Sequence, residues 1–405
     1  MKPIVRAGRM KPVHSDIRGP LFVEAMKRQK QGIDILKLNT GNPATFGFGL
    51  PDSIKNALME HMQDGVGYCD FKGMPQARQA ICDYETSKGI KGITSDDVFI
   101  GNGVSEVVSF ALTPLLNDGD EVLVPSPSYS LWGNSIYLEG GKPVFYTCDE
   151  KANWYPDIKD IRSKITDKTK AIVIINPNNP TGVLYPKEVL LEIIQIARES
   201  GLLIFADEIY DRLVMDGKQH ISLASLTEDV PVITLNGLSK SHCLCGYRCG
   251  WMVISGPREL TEDYRQGIIQ LTSLRLCANT MAQIVIPAAL DDMDTPTSMV
   301  RPGGRIYEQR EATVRELEKI NGLSFVKNDA AFYVFPKLDV KKFNITNDKQ
   351  FAHDLLDATN ILLVPGSGFD WKDPDHFRIV MLPQADILSD AIRRMGTFLD
   401  GYKQK

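Results

Sequence analysis

The chain has 405 residues, too many for one compact core and enough for a large domain plus a smaller one. Apolar residues at 43% and charged residues at 24% are ordinary for a globular protein, and a net charge of −5 gives no reason to expect nucleic-acid binding. No apolar run approaches the roughly 18 residues of a membrane helix, no signal-peptide core follows Lys2, Arg6 and Arg9, and seven scattered cysteines suggest no disulfide framework, so a reduced, cytoplasmic protein is expected.

Short β-rich runs alternate with helical stretches through the middle of the chain. Strands are predicted at Val98–Gly101, Glu121–Val124, Pro143–Thr147, Ala171–Ile175, Leu203–Ala206, Val232–Leu235 and Gly250–Ile254. Helices are predicted at Ser105–Leu116, Ser128–Glu139 and Pro186–Ser200, the last with a proline in its first turn and Gly201 after its end. Such alternation predicts an α/β fold: a mostly parallel seven-stranded sheet flanked by helices. The Gly-, Ser- and Cys-rich segment from Asn236 to Cys249 reads as a loop, so the last two strands are expected to run antiparallel. Asp291–Gly304, rich in Asp, Pro, Gly and Thr, reads as a boundary. Beyond it a helix at Arg305–Lys319 and strands at Ser324–Val326, Ala331–Phe335, Ile361–Val364 and Phe377–Met381 predict a smaller α/β domain. The expected division is 1–44, an N-terminal arm joined to the small domain; 45–290, the large domain; and 291–405, the small C-terminal domain.

Ligands of open α/β sheets sit beyond the carboxyl ends of the strands. Asp207 ends one apolar run, where a carboxylate faces such a crevice or else caps a helix or binds Mg²⁺. Asn179 lies in a loop with three asparagines and two prolines from Asn176 to Gly182, a density that suggests a rigid turn holding a side-chain amide at a fixed point. Ser239-Lys240 follows another strand, and Arg248 comes eight residues later between Gly246 and Gly250. A loop lysine is ordinarily a solvated charge. Here the nearby arginine would help the amine stay neutral and nucleophilic. Gly101 to Ser105 looks like an anion-binding helix start, although Glu106 stands where a dinucleotide fingerprint needs its third glycine. His242, Cys243, Cys245 and Cys249 crowd one loop, but C-x-C-x3-C fits no standard zinc pattern, and no metal is expected.

Together these residues resemble the fold-type-I pyridoxal-phosphate enzymes of class I/II, most closely the alanine (glutamate–pyruvate) aminotransferases. The resemblance runs from Pro3 to about Phe398. It rests on Asn39-x-Gly41-Asn42-Pro43, Asn176–Gly182, Asp207-x-x-Tyr210, Ser239-Lys240 with Arg248, and Phe377-Arg378. It implies that Lys240 forms a Schiff base with pyridoxal 5'-phosphate and later serves as the general base. It implies that Asp207 pairs with the ring nitrogen, Asn179 and Tyr210 bond the phenolic oxygen, and Tyr129 stacks on the ring. Ser105, Ser239, Arg248 and the amides around Val104 would cradle the phosphate, with Tyr68 reaching the neighbouring subunit's phosphate in a homodimer. Gly41, Asn179 and Arg378 would bind the substrate carboxylate.

The implied reaction moves the amino group of L-alanine to 2-oxoglutarate by ping-pong kinetics. Alternatives on the same fold are a transaminase of other small or aromatic amino acids and a C–S lyase. A ligand-sensing regulator would need a DNA-binding segment, for which the roughly forty residues before Gly41 show no helix-turn-helix pattern. Arg18, beside Gly19 on the N-terminal arm, is a candidate mobile reader of the glutamate side chain. The other reading makes it a surface arginine paired with Asp16.

Overall fold

A computed structural model of the chain describes residues 3–405. Its largest sheet has strands β1 (Val98–Asn102), β2 (Glu121–Ser126), β3 (Lys142–Asp149), β4 (Tyr155–Pro156), β5 (Thr169–Ile175), β6 (Leu203–Asp207), β7 (Val232–Gly237) and β8 (Cys249–Ser255). The spatial order is β1-β8-β7-β6-β5-β2-β3-β4. Every predicted strand of the large sheet is present, and the eighth is a two-residue edge strand, antiparallel to β3, that two-residue length hides from periodicity. β2, β3, β5, β6 and β7 are parallel, and β8 runs antiparallel to both β7 and β1 as expected.

The sheet is buried on both faces, which is why its strands read as continuous apolar runs. In β5, Ile172 and Ile174 join one apolar cluster with Leu190, Ile193 and Ile194 of the helix Lys187–Ser200. Ala171, Val173 and Ile175 join the opposite one with Val107 and Val108 of the helix Val104–Leu112. Gly201, at φ +65°, ends the first of these helices in a left-handed cap, and Pro186 stands at its N-cap, just outside the predicted first turn. The chain moves from β2 to β3 on one side, then returns to lay β5 on the other side of β2. The crevice at this reversal opens at the carboxyl ends of β2 and β5.

A second apolar cluster gathers Leu317, Phe351, Leu355, Phe377, Ile379, Leu388, Ile392 and Met395 from the C-terminal helices and strands, together with Leu38. The N-terminal arm enters it through a parallel pair, Leu36–Lys37 with Ile361–Leu362. The predicted strand Ile361–Val364 is therefore two short strands in two sheets, because Val364–Pro365 pairs instead with Phe377 and Arg378. Strand Ser324–Val326 is shifted to Leu323–Ser324. The segment Asp291–Gly304 contains the helix Asp294–Val300, whose Met299 and Val300 pack with Phe332. Among the described residues, no single helix is long and apolar enough to cross a membrane, and all seven cysteines are free.

Candidate active site

Four neighbouring segment ends converge on one crevice. Asp207 closes β6, and its backbone carbonyl accepts from the Asn176 amide at the end of β5. Burial pushes the Asp207 carboxyl up to about 6, while the Trp132 indole Nε1, 3.1 Å from Oδ2, and the Ile209 amide favour its charged form. A buried carboxylate so placed favours a cationic partner.

The loop after β5 is tied to itself. The Asn176 side-chain oxygen accepts from the Tyr185 amide at 2.9 Å, and that of Asn178 accepts from the Thr181 hydroxyl at 2.9 Å. Two asparagines thus act as internal staples, and the third, Asn179, is left to accept from Arg378 Nη1 at 2.9 Å.

Arg378 is 1% exposed, on the strand Phe377–Val380. Nη2 donates to the Asn39 carbonyl, and the guanidinium lies over the rings of Tyr333 at 4.5 Å and Phe369 at 4.6 Å. Burial lowers its pKa, and among the described residues Nε is buried without a partner. Tyr210 donates to or accepts from the Tyr333 hydroxyl at 2.9 Å, and burial with Tyr333 beside it raises its pKa well above the ordinary value. The same Tyr333 hydroxyl explains Gly41: a Cβ there would lie 2.3 Å from it and 2.8 Å from the Phe332 ring.

Lys240 lies on the single helical turn Leu238–Ser241 after β7. Its Nζ donates to the Gly41 carbonyl at 3.0 Å and lies 4.0 Å from Cys245 Sγ and 5.9 Å from the Phe332 ring centre. The expectation of a neutral amine fails for the chain alone. Burial lowers the pKa and Arg378 adds to that, but Tyr333, Cys245 and Tyr129 outweigh them and hold it above the ordinary lysine range.

Arg248 sits at φ +56°, exposed, with Nη1 donating to the Cys245 carbonyl at 3.0 Å. A Cβ on Gly103 would lie 2.4 Å from its Nη2, and one on Gly250 would lie 2.4 Å from the Val104 amide nitrogen. Both glycines thus let the guanidinium close on the start of the helix Val104–Leu112. That helix has no side-chain cap, Ser105 is exposed, and among the described residues the Val104 and Ser105 amides have no partner. Arg248, two free amides and the Ser105 hydroxyl form a cradle suited to a phosphate. With Asp207 and the half-buried Lys240, the donor set fits pyridoxal phosphate.

Tyr129 is half-buried in the crevice region, close enough to influence Lys240 and Arg378. Tyr68 is not brought to this site: it is 84% exposed, beside Val66 and Cys277–Thr280. Arg18 is exposed and, among the described residues, has no hydrogen-bond partner. The pairing with Asp16 is absent, because Asp16 faces Lys349 at 3.1 Å and His14 at 3.6 Å. Gly19 does not signal mobility either: its φ is −76° and a Cβ would lie 2.8 Å from the Ser15 carbonyl, so close packing selects the glycine. The arm nevertheless reaches the site, since the Ile17 carbonyl accepts from Asn39 Nδ2 at 2.8 Å and Asn39 in turn accepts from Arg378.

Sequence reasoning missed Trp132 and Tyr333. Trp132 lies in the first turn of the helix Leu131–Leu138, three residues after Tyr129, a weak signal; Tyr333 lies in a predicted strand whose facing residue could not be read.

The profile of the family described as aminotransferase class I and II matches residues 33–392. The chain is 50% identical over 404 residues, the full length of both proteins, to glutamate-pyruvate aminotransferase AlaA of Haemophilus influenzae. It is 45% identical to the alanine aminotransferase of Mycobacterium tuberculosis, over all of this chain and 94% of that one. The crystal structure of an aminotransferase from Escherichia coli superposes with a TM-score of 0.98 at 46% identity over all of both chains. With a lysine, a buried carboxylate, an asparagine and a buried arginine meeting at the sheet's carboxyl edge, the chain belongs to the class I and II aminotransferases, enzymes dependent on pyridoxal phosphate.

Proposed function

We propose that the protein transfers the amino group of L-alanine to 2-oxoglutarate, giving pyruvate and L-glutamate. The observation that carries this reading is the buried Arg378 beside Lys240 and Gly41, with full-length relatives named for alanine and glutamate–pyruvate transamination.

Lys240 would hold the cofactor covalently, Asp207 its ring nitrogen, Asn179 and Tyr210 its phenolic oxygen, and Tyr129 its ring face. Ser105, Ser239, Arg248 and the Val104 amide would hold its phosphate. Pyridoxal phosphate supplies the carbonyl that receives the amino group and the ring that takes up electrons.

The residues of the chain do the rest. Arg378 binds the substrate carboxylate by a fork of two N–H groups, with Gly41 and Asn179 beside it. Because Lys240 Nζ already touches the Gly41 carbonyl, a carboxylate held there sets the substrate Cα next to that amine. Freed from the cofactor when the substrate amine takes its place, Lys240 Nζ would take the Cα proton as general base and give it up again as general acid. The Arg378 charge favours its neutral form. Asp207 stays ionised opposite a cationic ring. Trp132 fixes its orientation.

Arg18 is proposed to meet the side-chain carboxylate of glutamate and to swing clear for alanine. Tyr68, standing out from the surface with Val66, Leu274 and Leu276 also exposed, is proposed to complete the partner subunit's phosphate site in a homodimer. The division into 1–44, 45–290 and 291–405 and a cytoplasmic location belong to the same reading.

A panel of amino donors (alanine, glutamate, aspartate, aromatic and branched) against pyruvate and 2-oxoglutarate tests it. Alanine with 2-oxoglutarate is expected to be the best or near-best pair. A preference for aromatic or branched donors would refute the substrate, and pyruvate formed from cysteine-like donors without an oxo-acid acceptor would indicate a lyase.

A further inference from the structure

Beneath the site lies a half-buried cation that the transfer chemistry does not use. Lys88 is the C-cap residue of the helix Pro75–Ser87. Its Nζ lies 2.7 Å from Glu85 Oε2, 2.8 Å from Glu208 Oε2 and 3.2 Å from Asp211 Oδ2, with the Tyr84 ring centre at 5.0 Å. Glu208, Asp211 and His220 present ligand atoms within 4.8 Å of one another, a spacing a divalent cation could span. The lysine ammonium stands among those atoms instead.

Two of the groups it holds, Glu208 and Asp211, lie in or lead to segments of the active site. Glu208 and Asp211 flank the turn that carries Asp207 and Tyr210. Asp211 Oδ2 accepts from Asn236 Nδ2 at 2.7 Å, four residues before Lys240. Glu208 Oε1 accepts from the Ser222 hydroxyl and the Leu223 amide, fixing the far side of the turn. His220, 3.9 Å from Glu208, lies 3.1 Å from the carbonyl of Asn176, at the root of the Asn179 loop. Glu85 accepts from the Trp251 indole on β8 at 3.1 Å.

Burial opposes the charge of Lys88, but Glu208, Glu85 and Asp211 outweigh it and hold the ammonium well above the ordinary lysine range. Burial likewise pushes Glu85 up, whereas Lys88 draws Asp211 below its ordinary value. Glu85, Glu208 and Asp211 are themselves buried, so their charges are costly without the ammonium between them.

We propose that Lys88 is a positioning residue for the transamination site: its ammonium ties the Asp207–Tyr210 turn to the Asn236–Lys240 turn, and so sets the spacing of the groups on those two turns that grip the cofactor. The proposal rests on the reading of Lys240 and Asp207 given above. Glu208 also lies close enough to Asp207 to raise its carboxyl pKa, so loss of the cation changes the local charge felt there.

The test compares wild type, Lys88→Arg, Lys88→Met, and Lys88→Met combined with Asp211→Asn, which removes one ammonium and one carboxylate together. Three quantities are read: the dissociation constant of pyridoxal phosphate from the holoenzyme, the pH midpoint of the bound cofactor's absorbance, and kcat against KM. Both methionine variants are expected to bind the cofactor at least about tenfold more weakly, to shift the pH midpoint, and to lose about 10- to 100-fold in kcat with little change in KM for alanine; the arginine variant should recover most of this. If neither methionine variant folds, Asn236→Ala, which cuts only the strut from Asp211 to the lysine turn, carries the same expectation. Wild-type cofactor affinity, pH midpoint and kcat in a folded variant would overturn the proposal. A wild-type protein that transfers no amino group would instead defeat the proposed function alone.

Discussion

Arg378 Nη1 donates to the side-chain oxygen of Asn179 across 2.9 Å, joining the C-terminal strand Phe377–Val380 to the loop at the end of β5. Nearly two hundred residues of chain separate them. The bond fixes the guanidinium of the proposed carboxylate site before substrate arrives, so little ordering remains to be done on binding.

Arg378→Lys should therefore weaken substrate capture more than cofactor binding. An ammonium cannot reproduce two parallel N–H bonds while also reaching Asn179 and the Asn39 carbonyl. Steady-state kinetics should show kcat/KM for alanine down roughly 10- to 100-fold at nearly unchanged cofactor affinity. An unchanged kcat/KM would remove Arg378 from the substrate site.

Asp207→Asn should separate stability from function. Burial raises the folded pKa of Asp207 to about 6, so in the cofactor-free chain this group holds its proton more tightly folded than unfolded. Its contribution to stability is present at low pH and is lost as pH rises from about 4 through about 6. Above that range the asparagine variant should make the cofactor-free chain more stable, by on the order of 1–3 kcal/mol in denaturant titrations. Its turnover should fall at least about a hundredfold, because the ring nitrogen loses its anionic partner. Near-normal turnover would exclude Asp207 from the mechanism.

His14 should make the N-terminal arm sensitive to alkali. Its backbone is bonded twice to Asn134, its ring lies 3.1 Å from Asp370 and 3.6 Å from Asp16, and Asp16 in turn meets Lys349. Hydrogen bonds to Asp16 and then Asp370 outweigh partial burial and raise its pKa to about 9. The stabilisation is thus complete below about 6.5 and lost as pH rises through about 9. Limited trypsin cleavage at Arg9 and Arg18 should accelerate above pH 9 in wild type and be fast at every pH in His14→Gln. A pH-independent cleavage rate in wild type would contradict this.

Arg18→Ala should raise KM for glutamate and 2-oxoglutarate about tenfold while changing KM for alanine and pyruvate little, since only the longer substrates carry a second carboxylate. An equal effect on both pairs, or none, would discard Arg18 as the side-chain reader.

The large sheet was legible because a parallel strand buried on both faces is one apolar run, as in Ala171–Ile175, and because its turn chemistry is local. Lys240, Asp207 and Asn179 could be picked out for a related reason: each follows a strand directly, and the crevice lies where strands end. The small domain was harder. Ile361–Leu362 pairs with Leu36–Lys37 across more than three hundred residues, and Val364 turns to a different sheet, neither of which leaves a periodic trace. Asp294–Val300 has boundary-like composition, yet its proline falls in the first turn, where a helix tolerates it. Trp132, Tyr333 and Lys88 act through contacts between distant segments, and the raised pKa of Lys240 follows from Tyr333, which spacing alone could not place next to it.

Lys240 is the residue expected to carry the cofactor. Hydride reduction of the holoenzyme with borohydride, followed by proteolysis and mass spectrometry, should locate one phosphopyridoxyl group per chain on the peptide containing Lys240, and none in Lys240→Ala. A reduced cofactor on any other lysine, or an unaltered label in that variant, would contradict the account.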